Sequence, residues 1–292
     1  KMNYSEKTGM DLLVNERIWS ESVYADCVSS DGKRAIMTRL CRYPEQSTSW
    51  LWVFCFVPEG IYGYNNNYLH CHNKISDVEG QDLEYAHIGQ GKAIFKRFGP
   101  RDSPHGALVS IELKLHKGSK VPQEDGNIKI QIKTELTPKL KPWRMNKYRT
   151  EWINHAKTVL IIEKTNITFE GFGHWHEQYQ KAPRWKTPFT YITLRGENLS
   201  LIGSSTEPND AGFAVYLSKR EKIQNIQIEP PGIKRNIRIE LEDSTILKGK
   251  INTIYSYLVP IYNRWRPGTV VTAVIDGESL TGCVNDWILK NN

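Results

Sequence analysis

Ile237-Arg238-Ile239-Glu240-Leu241 places an apolar side chain at every second position, with charged groups between. A two-residue period belongs to a strand with one face buried and the other in water. The signature recurs in both directions from this point. Downstream it reappears over Ile246–Tyr257 and Val270–Val274; upstream it runs through Ile223–Ile228, Ala214–Leu217, Leu199–Ser204, Phe189–Leu194, Thr168–Glu177 and Thr158–Glu163. The first half adds Arg17–Cys27, Ala35–Arg42, Ser49–Val57, Tyr68–His72, Ala93–Phe98, Ala107–His116 and Asn127–Leu136. Asp31-Gly32, Asp125-Gly126 and Asp276-Gly277 are hairpin-turn pairs. Many short strands at this spacing predict an all-β sandwich or barrel rather than a βαβ protein.

One segment reads differently. Between Pro142 and about Ala156, the residues Met145, Tyr148, Trp152 and Ala156 share one helical stripe, and Pro142 suits a first turn. The expected organisation is therefore two β-rich halves, 1–140 and 158–292, joined by a short helical linker over 141–157.

Of the 292 residues 39% are apolar and 24% charged, enough to fill a core and solvate a surface, which excludes a disordered chain. No apolar run approaches the roughly 18 residues of a spanning helix, so no membrane span is expected. The start, Lys1-Met2-Asn3-Tyr4, has no apolar leader, and five scattered cysteines (Cys27, Cys41, Cys55, Cys71, Cys283) contain no Cys-x-x-Cys pair. Both features predict a reduced, cytoplasmic setting. The net charge of +7 is dispersed, its densest part being Lys139–Arg149, and no nucleic-acid-binding signature accompanies it. No nucleic-acid partner is expected, and a homodimer is compatible with the composition. Gly-x-Gly-x-x-Gly, a phosphate loop, Gly-x-Ser-x-Gly and His-Glu-x-x-His are all absent, which predicts chemistry with no cofactor.

Chemistry concentrates in Phe172-Gly173-His174-Trp175-His176-Glu177-Gln178-Tyr179. On a strand His174, His176 and Gln178 share one face, while Trp175, Glu177 and Tyr179 share the other. Either set beside a pocket would provide hydrogen-bond donors next to aromatic walls, so this strand is expected to line the main cavity. A second pair, His70 and His72, would chelate a metal only if it met His174 and His176; the expectation is no metal. Trp50, Trp52, Phe54 and Phe56 alternate on one side of a strand whose other side carries Leu51, Val53 and Cys55. A strand apolar on both faces is buried on both, between a core and a second layer or a ligand cavity.

These residues resemble the tandem lipocalin-like (calycin) superfamily that includes carotenoid 1,2-hydratases and the fungal Diels–Alderases that form decalins. Glu16-Arg17-Ile18-Trp19-Ser20-Glu21-Ser22-Val23-Tyr24 is similar to the opening of that family's first barrel. Gly171–Gln178 is similar to the Gly–aromatic–His–Asp–His run of its second barrel, and Phe189–Leu194 followed by Gly196–Ile202 is similar to the next hairpin. The resemblance implies two lipocalin-like β-barrel or sandwich domains and a cavity for an apolar small-molecule substrate. It implies a cofactor-independent cyclase for a terpenoid or polyketide intermediate of secondary metabolism, with His174, His176, Glu177 and Gln178 as the polar group. Trp175, Tyr179, Trp185, Tyr191, Trp50 and Trp52 would bind substrate. Two other readings stay open: a hydratase using Glu177 or Asp286 as the acid on an isoprenoid alkene, and a non-catalytic carrier of lipid or terpenoid.

Overall fold

In a computed structural model the described residues are 18–181, 188–205, 210–216, 219–261 and 264–287. They contain nineteen strands and one short 3-10 turn, Pro44–Gln46, with no α-helix among them. The first eleven strands are β1 (Trp19–Ser29), β2 (Ala35–Tyr43), β3 (Thr48–Val57), β4 (Gly60–His70), β5 (Leu83–Ile88), β6 (Lys92–Phe98), β7 (Gly106–Lys117), β8 (Ile128–Pro138), β9 (Trp143–Asn146), β10 (Arg149–Ile162) and β11 (Thr165–Lys181). They form one antiparallel sheet in the order β4-β3-β2-β1-β11-β10-β8-β7-β6-β5, with β9 paired to β10. A short pairing of Tyr62 with Lys117 and Gly63 with His116 joins β4 to the end of β7 and curls this sheet onto itself.

The remaining strands close a separate eight-stranded barrel. They are β12 (Thr190–Arg195), β13 (Leu199–Ser205), β14 (Ala211–Tyr216), β15 (Lys219–Ile228), β16 (Lys234–Leu241), β17 (Ile246–Ile261), β18 (Arg264–Ile275) and β19 (Glu278–Asp286). The Asp276-Gly277 signal makes its hairpin: both residues have positive φ, 47° and 81°, the type I′ geometry that matches strand twist.

The helical linker expected over 141–157 is not there. Trp143–Asn146 and Arg149–Ile162 form a hairpin instead, and the Asn146 side-chain carbonyl accepts the backbone N–H groups of Tyr148 and Arg149 at 2.8 and 3.0 Å. A spacing of four residues satisfies both the helical and the strand period, so Trp152 and Ala156 share a face either way. The β-branched Thr150, Ile153, Thr158, Val159 and Ile161 favour the extended form, and β10 pairs with β11 over fourteen residues. As a result the sheets change over between Lys181 and Thr190, and β10 and β11 belong to the first sheet.

Alternation sorts the side chains of β1–β3 into two sets. Val23, Ala25, Cys27, Leu51, Val53 and Cys55 fill the interior of the curled first sheet. Tyr24, Val28, Trp50, Trp52, Phe54 and Phe56 face the other way, against Tyr257, Val259, Ile261, Val270 and Trp287 of the second barrel. Each such aromatic removes roughly 150–250 Å² from water, worth about 4–6 kcal/mol at ~25 cal/mol per Å² as an upper figure. The doubly apolar β3 therefore lies between its own core and a second layer. All five cysteines are buried free thiols, and no helix among the described residues is long and apolar enough to cross a membrane.

Candidate functional site

The register of β1, β10 and β11 decides where the polar residues go. Tyr24 lies opposite His176, Asp26 opposite His174, and Glu151 opposite His176 across the other edge. By alternation these groups point toward the second barrel, whereas Trp175, Glu177 and Tyr179 point into the first sheet. The expected polar group is thus divided between two environments.

On the inter-barrel face Tyr191 from β12 donates to Glu151 Oε2 at 2.7 Å. His174 Nε2 stands 3.5 Å from that oxygen and 3.5 Å from the Tyr191 hydroxyl. His176 stacks on Tyr24, with ring centres 5.0 Å apart. Arg149 binds Glu151 through Nε, Gln178 Oε1 at 3.0 Å and His176 Nδ1 at 3.2 Å, and its guanidinium lies 4.7 Å over the Tyr191 ring. Glu151 and His174 are fully buried and His176 nearly so. Burial acts to raise the Glu151 carboxyl, but Arg149, His174 and Tyr191 outweigh it and hold it at about 2. Burial, chiefly, pushes the Tyr191 hydroxyl well above its ordinary value, so it is a neutral group.

Glu151, His174 and His176 offer ligand atoms within 4.8 Å of one another, the spacing of a small metal site. The donor set argues against one: the Arg149 guanidinium bonds both Glu151 and His176, so an organic cation already supplies the positive charge. Beside this group Asp26 receives Arg195 bidentately at 2.7 and 3.2 Å, the Tyr24 hydroxyl at 2.8 Å and the His174 backbone N–H at 3.0 Å. That wholly buried pair ties β1, β11 and the second barrel together.

Glu177, expected in the catalytic group, faces the first core and sits in a buried ion pair. Arg97 Nε donates to its Oε1 at 2.6 Å, the Trp175 indole to the same oxygen at 3.1 Å, and the Tyr179 hydroxyl to Oε2 at 2.9 Å. Trp175 also packs on Trp152, ring centres 5.7 Å apart, in the first core. Asp286, the other acid weighed for hydration, is bound bidentately by Arg235 at 2.9 and 3.0 Å and accepts from Thr190.

Trp50 and Trp52 do face the second barrel, with ring centres 6.0 Å apart, and the Trp52 indole donates to Asn67 at 2.8 Å. Trp185 lies outside the described residues. His70 and His72 are exposed, and His72 lies against Arg42, whose partner Glu21 shares the inward face of β1. The two His-x-His pairs therefore sit on opposite sides of the sheet. A cavity of about 970 Å³ opens elsewhere, in the second barrel, lined by Asp210, Asn225, Ile226, Asn236, Ile237 and Arg238 among others and, among the described residues, by no expected site residue.

Sequence reasoning missed Glu151, Arg149, Asp26, Arg195 and Arg97. Glu151 and Arg149 were hidden in the helix reading. The alternation Val23-Tyr24-Ala25-Asp26-Cys27 did carry a signal, since a carboxylate in an otherwise apolar strand must find a cation.

No protein-family profile and no curated protein matches the chain. Among solved structures, CghA with Sch210972 superposes with a TM-score of 0.61 at 9% identity, over 94% of this chain and 89% of that one. An AttH-type protein from Nitrosomonas europaea gives 0.60 at 9% identity, with 94% of each chain covered. Kievitone hydratase from Nectria haematococca gives 0.50 at 7% identity, covering 97% and 92%. Likeness at such identity is likeness of fold. The chain has the tandem lipocalin-like fold of these proteins, the fold its sequence resemblance implied.

Proposed function

We propose that the chain is a cofactor-independent cyclase that folds an apolar terpenoid or polyketide intermediate at the junction of the two barrels, in the cytoplasm. The observation that carries this reading is the buried meeting of Tyr191, His174, His176 and Glu151 beside the aromatic face of β1–β3. Glu151 can only accept, so His174 turns its Nε2–H toward it and leaves Nδ1 for another partner. That Nδ1 is buried and has no hydrogen-bond partner among the described residues. A carboxylate fixing an imidazole tautomer while the other nitrogen stays available is a general-base arrangement. In this reading His174 takes a hydrogen bond or proton from the substrate. Tyr191, neutral through burial, turns its hydroxyl from Glu151 to a substrate carbonyl. The aromatic walls hold the chain in a near-attack shape.

The hydratase reading needs a neutral carboxylic acid beside the alkene. Glu177 and Asp286 are both engaged by arginines, and Glu151 is held ionised, so the cyclase reading is favoured. A carrier would need the apolar wall alone, which leaves the buried polar group without a purpose. Incubating the protein with linear polyene substrates and following products by chiral chromatography and mass spectrometry tests this. A cyclised isomer of unchanged mass supports the cyclase, gain of one water supports the hydratase, and recovery of unchanged ligand supports the carrier.

A further inference from the structure

Six arginines of the interior are paired with carboxylates: Arg42 with Glu21, Arg97 with Glu177, Arg101 with Glu79, Arg149 with Glu151, Arg195 with Asp26 and Arg235 with Asp286. Arg266 is not. It lies opposite Val259 on the face of β18 turned toward the first sheet, is 7% exposed, makes no ion pair among the described residues, and has its Nε buried without a hydrogen-bond partner. Its contacts are two indole faces, Trp52 at 5.9 Å and Trp287 at 5.8 Å. Arg39 brings a second guanidinium to within 4.7 Å of the centre of the same Trp52 ring.

An aromatic face attracts a cation but accepts little from its five N–H donors. Taking a guanidinium out of water without an anion is costly, and here burial pushes its pKa down. Asp286, which acts on it across space, is held by Arg235. Tyr24, which stacks on His176, also lies within electrostatic reach of Arg266, so this charge and the His174 group share one inter-barrel face.

We propose that Arg266 receives a carboxylate carried on the apolar body of the substrate, which makes the substrate class an apolar acid. The planar guanidinium fork matches the two oxygens of a carboxylate, and the Trp52 and Trp287 faces suit the adjoining apolar chain. This rests on the reading that an apolar substrate occupies the junction between the barrels.

The test uses cis-parinaric acid and its methyl ester as matched fluorescent probes on the full chain. The acid should bind about ten- to a hundredfold more tightly than the ester, the range of one charge-assisted hydrogen-bonded contact. R266Q should erase that preference and leave ester affinity unchanged, while R266K should keep part of it. The ligand-free R266M protein should melt no lower than the unsubstituted protein, since it removes an uncompensated buried charge, and the acid should raise its melting temperature no more than the ester does. Equal affinity for acid and ester, a preference that survives R266Q, or binding of neither probe overturns the proposal. Failure of the cyclase reading looks different: acid preference in the unsubstituted protein with no cyclised product from any substrate removes the cyclase and leaves the carboxylate site. Cyclisation of neutral substrates without acid preference does the reverse.

Discussion

Replacing Glu177 by Gln should damage the fold rather than the chemistry. The carboxylate is 1% exposed and its partner Arg97 is fully buried. Arg97 also donates to the carbonyls of Val78, Gly80, Gln81 and Gly99, so it cannot swing out to solvent without losing them. Arg101 Nε stands 4.0 Å from the other carboxylate oxygen, so the neutral variant leaves two guanidinium groups facing an amide. Breaking a buried pair from one side costs about 3–5 kcal/mol. At about 2–4 °C per kcal/mol for a unit of this size, the melting temperature should fall by roughly 6–20 °C. Differential scanning calorimetry and urea unfolding would measure it, with activity normalised to folded protein and expected to be unchanged. A melting temperature within about 2 °C of the unsubstituted protein, together with a large fall in activity per folded molecule, would refute this account and return Glu177 to the catalytic group.

Tyr191→Phe and His174→Gln should each lower turnover by about one to three orders of magnitude with little change in probe binding; full activity in both, measured by initial rates, would remove them from the mechanism. The Glu151 carboxyl, depressed from 4.5 to about 2, stabilises the folded state above its unfolded value and loses that contribution as pH falls from about 4.5 toward 2. The stability gap between the protein and its Glu151→Gln variant, read by urea unfolding, should therefore be full at pH 6 and shrink across that window. Dialysis against a chelator should leave melting temperature and turnover unchanged, because Arg149 supplies the cation; loss of both, restored by zinc, would show a metal. Gly268→Ala should be destabilising, since a Cβ there would strike the Tyr257 ring in the packed inter-barrel layer.

The strands were legible wherever one face is wet, as in β16, because alternation then shows in the letters. Strand β19, Glu278-Ser-Leu-Thr-Gly-Cys-Val-Asn-Asp286, escaped notice for the opposite reason. Seven of its residues are buried, so polar and apolar side chains alternate between two closed environments and no period stands out. The site was half legible. Facing parity along Gly173–Tyr179 did separate His174 and His176 from Glu177, and β11 carries both sets as alternation requires. Which set meets Tyr191 and which meets Arg97 depends on pairings some 40 to 160 residues apart in the chain, and no local pattern encodes that.

Strand β1 makes its longest pairing with β11, whose residues are synthesised some 150 positions later. At roughly 5–20 residues per second, a nascent chain waits on the order of ten to thirty seconds between making the one and the other. Throughout that interval the segment that becomes β1, β2 and β3 carries Trp50, Trp52, Phe54 and Phe56 alternating with Leu51, Val53 and Cys55, and the layers that cover either set are not yet made. A ribbon greasy on both sides with an open edge is a template for adhesion to other chains. The arrangement that buries both faces of β3 in the finished molecule thus leaves the half-made one exposed, and yield in a cell lacking chaperones should drop before activity does.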